Sequence, residues 1–287
     1  MSHRQRLNRR GAQPFRTIAA MIAIAGAPIA AANPSVPAAA APPVAFVSCP
    51  IYRNTDQGPK SGCWLADDLE SGVRYDIGGG RTKPQIGRAV LVEGVPAADA
   101  NLCGGIVLRP VHTSPLKSTC PAVMLPAERF PGRAFKLPKG HVLPPSDVIR
   151  PLPAGPFSNK TWSIEFDFGS NFLSYEYSEV ILDAAARYVR ASHPRRVIVV
   201  GYAATAPYVV SGTRFVESPR LAEARAKMVA LALRRLGVDP AIMRVRWHGK
   251  PRPADIEDGL AEPSKRRVTI AVMMDRVHPG ARSTAAR

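Results

Sequence analysis

Residues 218–237, SPRLAEARAKMVALALRRLG, decide the fold of the C-terminal half of this chain, because they carry a complete helix signature. Ser218 and Pro219 are typical of an N-cap and of the first helical position. One face is apolar at helical spacing and consists of Leu221, Met228, Leu231, Ala232 and Leu236. Gly237 follows at the position where helices commonly end. The stretch therefore predicts an amphipathic helix with one buried face.

The segments around this helix predict strands and one further helix. Residues 162–168 alternate between apolar and polar side chains, as a half-buried strand does. Residues 174–192 have a helical apolar period, which Pro194 ends. Three more strands are predicted at 196–201 (RVIVVG), 244–247 and 267–272. The order β-α-β-α-β-β predicts an α+β fold with the helices on one face of a mixed sheet.

Four short motifs resemble landmarks of the OmpA-like, peptidoglycan-associated domain family and occur in the family's order. They are FDFGS at 166–170, GYAA at 201–204, LAEARA at 221–226 and KRRVTI at 265–270. In the family the corresponding motifs are F-x-x-x-S, G-H-T-D, L-S-x-x-R-A and N-R-R-V-x-I. The resemblance covers about residues 160–274. It implies an OmpA-like sandwich at residues 159–275 that binds peptidoglycan without covalent chemistry.

The resemblance also implies which residues bind the ligand. The family holds the diaminopimelate of the wall stem peptide, with an arginine of the second helix on its carboxylate and the aspartate of G-H-T-D on its ammonium group. Arg225 matches the arginine, and an arginine fork suits a carboxylate bidentately. Ala204 stands at the aspartate position and Tyr202 at the histidine position. Arg266 and Arg267 complete the implied set, with Arg267 beside Arg225 in a carboxylate-binding corner.

The loss of the family aspartate predicts weak, salt-sensitive binding to the wall. The loop between Gly201 and Leu221 is longer than is usual in the family, and Glu217 in this loop is a candidate replacement for the missing acid. The alternative is a degenerate domain that keeps the fold but not the wall ligand. Such a domain would serve as an interaction module for other envelope proteins or for an anionic surface.

Residues 1–32 are typical of a secretory signal peptide. Basic residues come first, an apolar run follows at 18–27 (IAAMIAIAGA), and Ala30-Ala31-Ala32 forms an A-x-A cleavage site. We therefore expect an exported protein of a Gram-negative-type envelope, in the periplasm or associated with the outer membrane. Elsewhere no apolar run is long enough to span a bilayer as a helix, which argues against a polytopic membrane protein.

Residues 44–125 predict a small, disulfide-stapled all-β domain of no family that we can name. Short β-like runs occur at 73–77, 88–93 and 105–109, with no helical period between them. All four cysteines fall in this domain, and an even number in an exported chain indicates disulfides. Three pairings are possible, and we favour the shortest loops, which link Cys49 to Cys63 and Cys103 to Cys120.

Proline-rich or polar segments separate the predicted domains. Residues 33–43 (NPSVPAAAAPP) form a Pro/Ala spacer. Eight prolines between positions 126 and 156 predict a linker at 126–158, because proline removes a backbone donor and fixes φ. Residues 276–287 are expected to be a disordered tail.

Charge and composition narrow the function. The 287 residues include 39 Lys+Arg and 22 Asp+Glu, for a net charge of +17, and +12 remains beyond the five arginines of the first 32 residues. This balance suits an anionic partner such as the cell wall or the outer membrane, and we expect no nucleic-acid partner. The sequence shows neither a nucleophile–base pair nor a pair of acids of the kind that active sites use, so we do not expect an enzyme. Because the six histidines are scattered, we expect neither a metal site nor a cofactor.

Overall fold

The computed structural model describes residues 41–57, 61–133, 150–250 and 258–274. The predicted signal peptide and the predicted tail lie outside the described residues, as do most of the Pro/Ala spacer and residues 134–149 of the predicted linker. Residues Ala40–Arg287 form one compact unit, to which both domains described below belong. No helix in the described part of the chain is both long and apolar enough to cross a membrane.

Seven strands form the N-terminal β domain. They are β1 (Val44–Ser48), β2 (Ile51–Arg53), β3 (Cys63–Asp68), β4 (Val73–Asp76), β5 (Arg88–Pro96), β6 (Ile106–Thr119) and β7 (Val123–Leu125). Their order in one mixed sheet is β1-β5-β6-β4-β3-β2-β7. The main apolar core of the domain consists of Phe46, Ala66, Tyr75, Ile77, Val90, Val92, Leu108 and Val111. All three predicted β-like runs are strands, and the third extends well beyond its predicted end.

The disulfide of this domain links Cys63 to Cys103, so the predicted pairing is wrong. The Cα atoms of Cys63 and Cys103 are 5.8 Å apart, within the usual range for a disulfide. Cys49 and Cys120 are both free thiols and contact each other. Cys49 and Cys120 meet because β1 and β6 both pair with β5. Cys49 follows the end of β1 and Cys120 follows the end of β6, and these two ends lie close together. Burial, together with the contact to Cys49, raises the pKa of Cys120 to about 12.

The C-terminal domain follows the predicted order of strands and helices and adds short elements to it. The elements are β8 (Lys160–Glu165), α1 (Tyr175–Ser192), β9 (Arg196–Gly201), β10 (Tyr208–Val210), β11 (Thr213–Phe215), α2 (Arg220–Arg235), a 3-10 turn (Pro240–Ile242), β12 (Met243–Trp247), α3 (Ala261–Ser264) and β13 (Arg267–Met273). Four strands form a mixed sheet in the order β12-β9-β13-β8. The predicted α+β class is confirmed.

The two long helices cover one face of this sheet. Their shared core includes Leu182, Ala185 and Val189 of α1 and Val229 and Leu233 of α2, packed on the strand residues Ile164, Val197, Val199, Val268 and Ile270. Gly237 adopts φ +88° just after α2, as its predicted place at the helix end requires. The helix begins at Arg220, slightly later than predicted, and Ser218 Oγ accepts a 3.3 Å hydrogen bond from the Arg220 backbone N–H.

The long loop after β9 contains the hairpin β10–β11, which packs against the β domain. Val210 and Phe215 of the hairpin form an apolar cluster with Leu91 of β5. The backbone N–H of Val47 donates a 3.1 Å hydrogen bond to Ser211 Oγ in the hairpin turn. The hairpin, which the sequence predicts only as a longer loop, therefore joins the two domains.

Candidate ligand-binding site

The predicted ligand residues meet where the end of β9 passes the start of α2. A Cβ atom at Gly201 would lie 2.0 Å from the carbonyl oxygen of Ala222, so a side chain does not fit and the strand can approach the helix closely only with glycine. The chain then turns through Tyr202 and Ala204, both buried, next to the side chain of Arg225. Four of the six predicted residues, Tyr202, Ala204, Glu217 and Arg225, are joined here by hydrogen bonds.

Arg225 is fully buried, and all of its N–H groups are used within the chain. Its Nη1 and Nη2 donate to the two carboxylate oxygens of Glu217, at 2.8 and 2.6 Å. The remaining donors bind carbonyl oxygens: Nε that of Ser170 at 2.8 Å, Nη1 that of Tyr202 at 3.1 Å and Nη2 that of Asp167 at 3.2 Å. A guanidinium group has five N–H donors, so none remains for a further ligand in this conformation.

Glu217 is the carboxylate partner of this arginine. Besides the Arg225 pair, its oxygens accept 2.8 Å hydrogen bonds from the backbone N–H groups of Gly169 and Ala204. Burial alone would raise the pKa of Glu217. The hydrogen bonds and charge of Arg225, with the two backbone donors, outweigh burial and hold the pKa below its ordinary value. Glu217 is therefore an ionised carboxylate held in an arginine fork.

This position differs from the role that the sequence suggests for Glu217. As a replacement for the family aspartate it would face a ligand ammonium group, but the structure places it on the arginine itself. Ala204 contributes a backbone donor to the same carboxylate and is fully buried. An aspartate at position 204 would therefore put a second carboxylate next to that of Glu217, where like charges repel.

Arg267 does not join Arg225 in an exposed carboxylate-binding corner. Its guanidinium lies 4.3 Å from the centre of the Tyr202 ring, and its Nη1 donates to the carbonyl oxygen of Ser264. The residue is only 8% exposed, and burial lowers the pKa of Arg267. The predicted corner is thus a packed layer of Arg267 on Tyr202.

Arg266, the remaining predicted residue, binds the other domain. Its guanidinium is fully buried and donates to both carboxylate oxygens of Glu93 on β5, one of them at 3.2 Å. Nη1 also donates to Tyr208 Oη at 3.1 Å. Although burial opposes the charged form, the charge of Glu93 and its hydrogen bonds raise the pKa of Arg266 above its ordinary value. Arg266 is therefore an interdomain ion-pair residue.

Glu93, the ion-pair partner of Arg266, is not among the residues that the sequence predicts. It follows the apolar residues Ala89–Val92 in β5 and is 2% exposed. An acid directly after such a run is a signal that could have been noted, because a buried carboxylate needs a cation. The cation itself lies 173 positions away and could not be named from the run.

The ligating groups that could hold a metal, within the described ranges, are His112, Glu165 and Asp258.

Comparison with known proteins identifies the C-terminal domain. The OmpA family model matches residues 165–267, about a third of the chain. These residues form an OmpA-like domain. No curated protein matches the chain.

Solved structures similar to the OmpA-like domain come from several bacteria. The OmpA-like domain of FopA1 from Francisella tularensis subsp. tularensis SCHU S4 is 19% identical, over 40% of this chain and 71% of that one, with a TM-score of 0.33. The peptidoglycan-associated lipoprotein from Burkholderia pseudomallei is 25% identical, over 38% and 87%, with a TM-score of 0.30. The cell wall anchor of the T6SS from Pseudomonas aeruginosa is 23% identical, over 41% and 82%, with a TM-score of 0.31.

Proposed function

We propose that this chain is an exported, non-enzymatic protein of a Gram-negative-type envelope that associates with peptidoglycan through its OmpA-like domain. The observation that carries the proposal is the carboxylate bound by both terminal nitrogens of Arg225. The arginine that the family uses for its ligand is here a carboxylate receptor, and the carboxylate of stem-peptide diaminopimelate has the same bidentate geometry. The family match over residues 165–267 supports the same assignment.

Wall binding through this arginine requires the ligand to displace Glu217. Both carboxylates compete for one fork, and Glu217 has the advantage of being tethered in place with two backbone donors of its own. No aspartate at position 204 is present to bind the ammonium group of the ligand. We therefore expect weak binding that salt reduces further, since charge–charge contacts would supply most of the affinity.

A second function is favoured by the burial of both family arginines. Arg225 and Arg266 are each 0% exposed and each paired with a glutamate of the same chain. In that case the OmpA-like domain keeps the fold as an interaction module and binds another envelope protein or an anionic surface. The wall ligand would then have no part in its function.

Sedimentation with purified sacculi separates the two functions. Glu217→Gln removes the internal competitor but keeps the shape of the side chain. We expect it to strengthen binding by about tenfold, the effect of one charge-assisted contact. The double variant Glu217→Gln/Arg225→Gln removes the fork without leaving a buried charge unpaired, and it should lose this gain. Arg220→Gln, on the exposed side of the same helix, is the matched control.

The salt dependence of binding and the affinity of the double variant decide between wall binding through Arg225 and the interaction module. The proposal holds if Glu217→Gln binds more tightly than wild type and if added salt weakens both. Equal binding of Glu217→Gln and the double variant would remove Arg225 from wall recognition and leave the interaction module as the function. Circular dichroism of each variant shows whether the fold is retained.

A further inference from the structure

A second cluster of ionisable side chains lies where the β domain meets the OmpA-like domain. It consists of His112 on β6, Glu165 at the end of β8 and Asp258 ahead of α3. His112 Nε2 lies 3.0 Å from Asp258 Oδ2 and 3.6 Å from Glu165 Oε2. One nitrogen and two carboxylate oxygens thus converge, and all three atoms lie within 4.8 Å of one another. The His112 side chain is 9% exposed, so the cluster is shielded from solvent on that side.

One of the converging atoms is poorly satisfied. Glu165 Oε2 is buried and makes no hydrogen bond. The cation next to it is Arg81, whose Nη1 lies 2.9 Å away in an ion pair and whose side chain is 36% exposed. A buried carboxylate oxygen without a hydrogen bond carries a desolvation cost that a better-placed cation would remove.

We propose that His112, Glu165 and Asp258 bind one divalent transition-metal ion, with Zn²⁺ the best match, and that this ion joins the two domains. Ligand atoms at the usual zinc distances of about 2.0–2.1 Å in a tetrahedron are about 3.3 Å apart, which lies between the two separations of His112 Nε2 from its neighbours. A neutral imidazole with two carboxylates has a charge that a divalent ion balances. The nitrogen ligand favours zinc over magnesium or calcium, which prefer oxygen.

A small cavity beside the cluster leaves room for one water-sized ligand. His112 and Glu165 line a cavity of about 10 Å³, next to Thr82 and Asp167, which is about the space that one water occupies. Arg81 lines the same cavity, and its partly exposed side chain would turn outward into solvent when the metal enters. His112 would bind the ion through Nε2, the ring nitrogen that faces both carboxylates.

The scattered histidines of the sequence predict no metal site, and the proposed site is made of residues that are far apart in the sequence. The three residues are separated by 53 and 93 positions along the chain and come together only when the two domains dock. No local spacing motif could reveal them.

Calorimetric titration of the metal-free full chain with zinc chloride tests the proposal. We expect one strong site per chain, with at least tenfold weaker binding in His112→Gln and in Asp258→Asn. His248→Gln is the control, because His248 stacks on Tyr202 outside the cluster and its loss should leave zinc affinity unchanged. Zinc should also raise the thermal midpoint of wild type but not of His112→Gln, because a ligand stabilises the state that binds it.

Arg81→Gln provides a test that a folding defect cannot imitate. Removing the resident cation should tighten zinc binding several-fold, whereas a damaged fold would weaken it. Cobalt should give the intense visible bands of a four-coordinate site in wild type and in Arg81→Gln. The proposal is overturned if the chain binds no zinc, if His112→Gln binds it as wild type does, or if Arg81→Gln fails to tighten binding.

Discussion

The molecule contains two buried arginine–glutamate pairs, and they differ in what they join. Arg225 and Glu217 belong to one domain, and backbone groups of that domain satisfy their other donors and acceptors. Arg266 and Glu93 belong to different domains, with Tyr208 of the inserted hairpin as a further partner. The same type of ion pair therefore lies within one domain in one place and between two domains in the other.

The two pairs should fail differently when one partner is removed. A buried ion pair contributes little net stability, because desolvation offsets most of the attraction, but an unpaired buried charge is expensive. Loss of Arg225 leaves the Glu217 carboxylate unpaired inside the OmpA-like domain. Loss of Glu93 leaves the Arg266 guanidinium unpaired at the interface, where the domains can separate and expose it to water.

The largest effect is expected for Arg225→Ala. It leaves Glu217 buried with two backbone donors but no cation, and we expect a loss of about 3–5 kcal/mol in the unfolding free energy. Urea denaturation followed by circular dichroism measures it. Arg220→Ala, an exposed arginine in the same helix, should change the free energy by no more than about 0.5 kcal/mol. A loss in Arg225→Ala as small as that of Arg220→Ala would contradict the buried pair.

A smaller effect is expected for Glu93→Gln, and it should appear as domain separation. The amide can still accept one hydrogen bond from Arg266, so we expect a cost of about 2 kcal/mol. Limited proteolysis should separate the two domains into fragments faster than in wild type. Glu70→Gln, at an exposed turn of the β domain, is the control. Unchanged cleavage in Glu93→Gln would mean that the apolar contacts of Leu91 hold the domains without the ion pair.

Local signals predicted the elements of the fold but not the partners of its charges. The apolar period and Gly237 define α2 within two residues, and the alternation of 267–272 gives β13, because these depend on neighbours in sequence. The partner of Arg266 depends on how β5 docks against the other domain. The cysteine pairing failed for the same reason. The shortest loops join Cys49 to Cys63, but the disulfide links Cys63 to Cys103, which lies in the loop before β6 and packs in the same apolar cluster as Cys63.

Acid should weaken the Arg225–Glu217 pair without any change to Arg225, and the effect on the unfolding free energy should be smaller than that of Arg225→Ala. The folded-state pKa of Glu217 lies below its ordinary value of 4.5, so its ionised form stabilises the fold above that pH. This stabilisation is lost as pH falls through the folded pKa. The stability difference between wild type and Glu217→Gln should therefore shrink between about pH 5 and pH 2.

The comparison with Glu217→Gln is needed because other acids act in the opposite direction. Burial raises the pKa of Asp167, so protonation of that group favours the folded state in acid. The total acid slope of wild type mixes both contributions. Urea midpoints of the two proteins, measured in the same buffers, isolate Glu217, and a difference that is constant with pH would show that its pKa is not lowered by folding.

The smallest effect is expected for Ser218→Ala. This variant tests whether the Arg225–Glu217 pair or the Ser218 hydroxyl fixes the start of α2. The Ser218 hydroxyl accepts a single long hydrogen bond, 3.3 Å from the Arg220 backbone nitrogen. The neighbouring Glu217 is fixed by four shorter bonds. Because Glu217 already fixes this turn, we expect Ser218→Ala to cost about 0.5 kcal/mol, the low end for a cap, in urea denaturation. A cost near 2 kcal/mol would instead make the serine the residue that anchors the helix, as its sequence signature alone suggests.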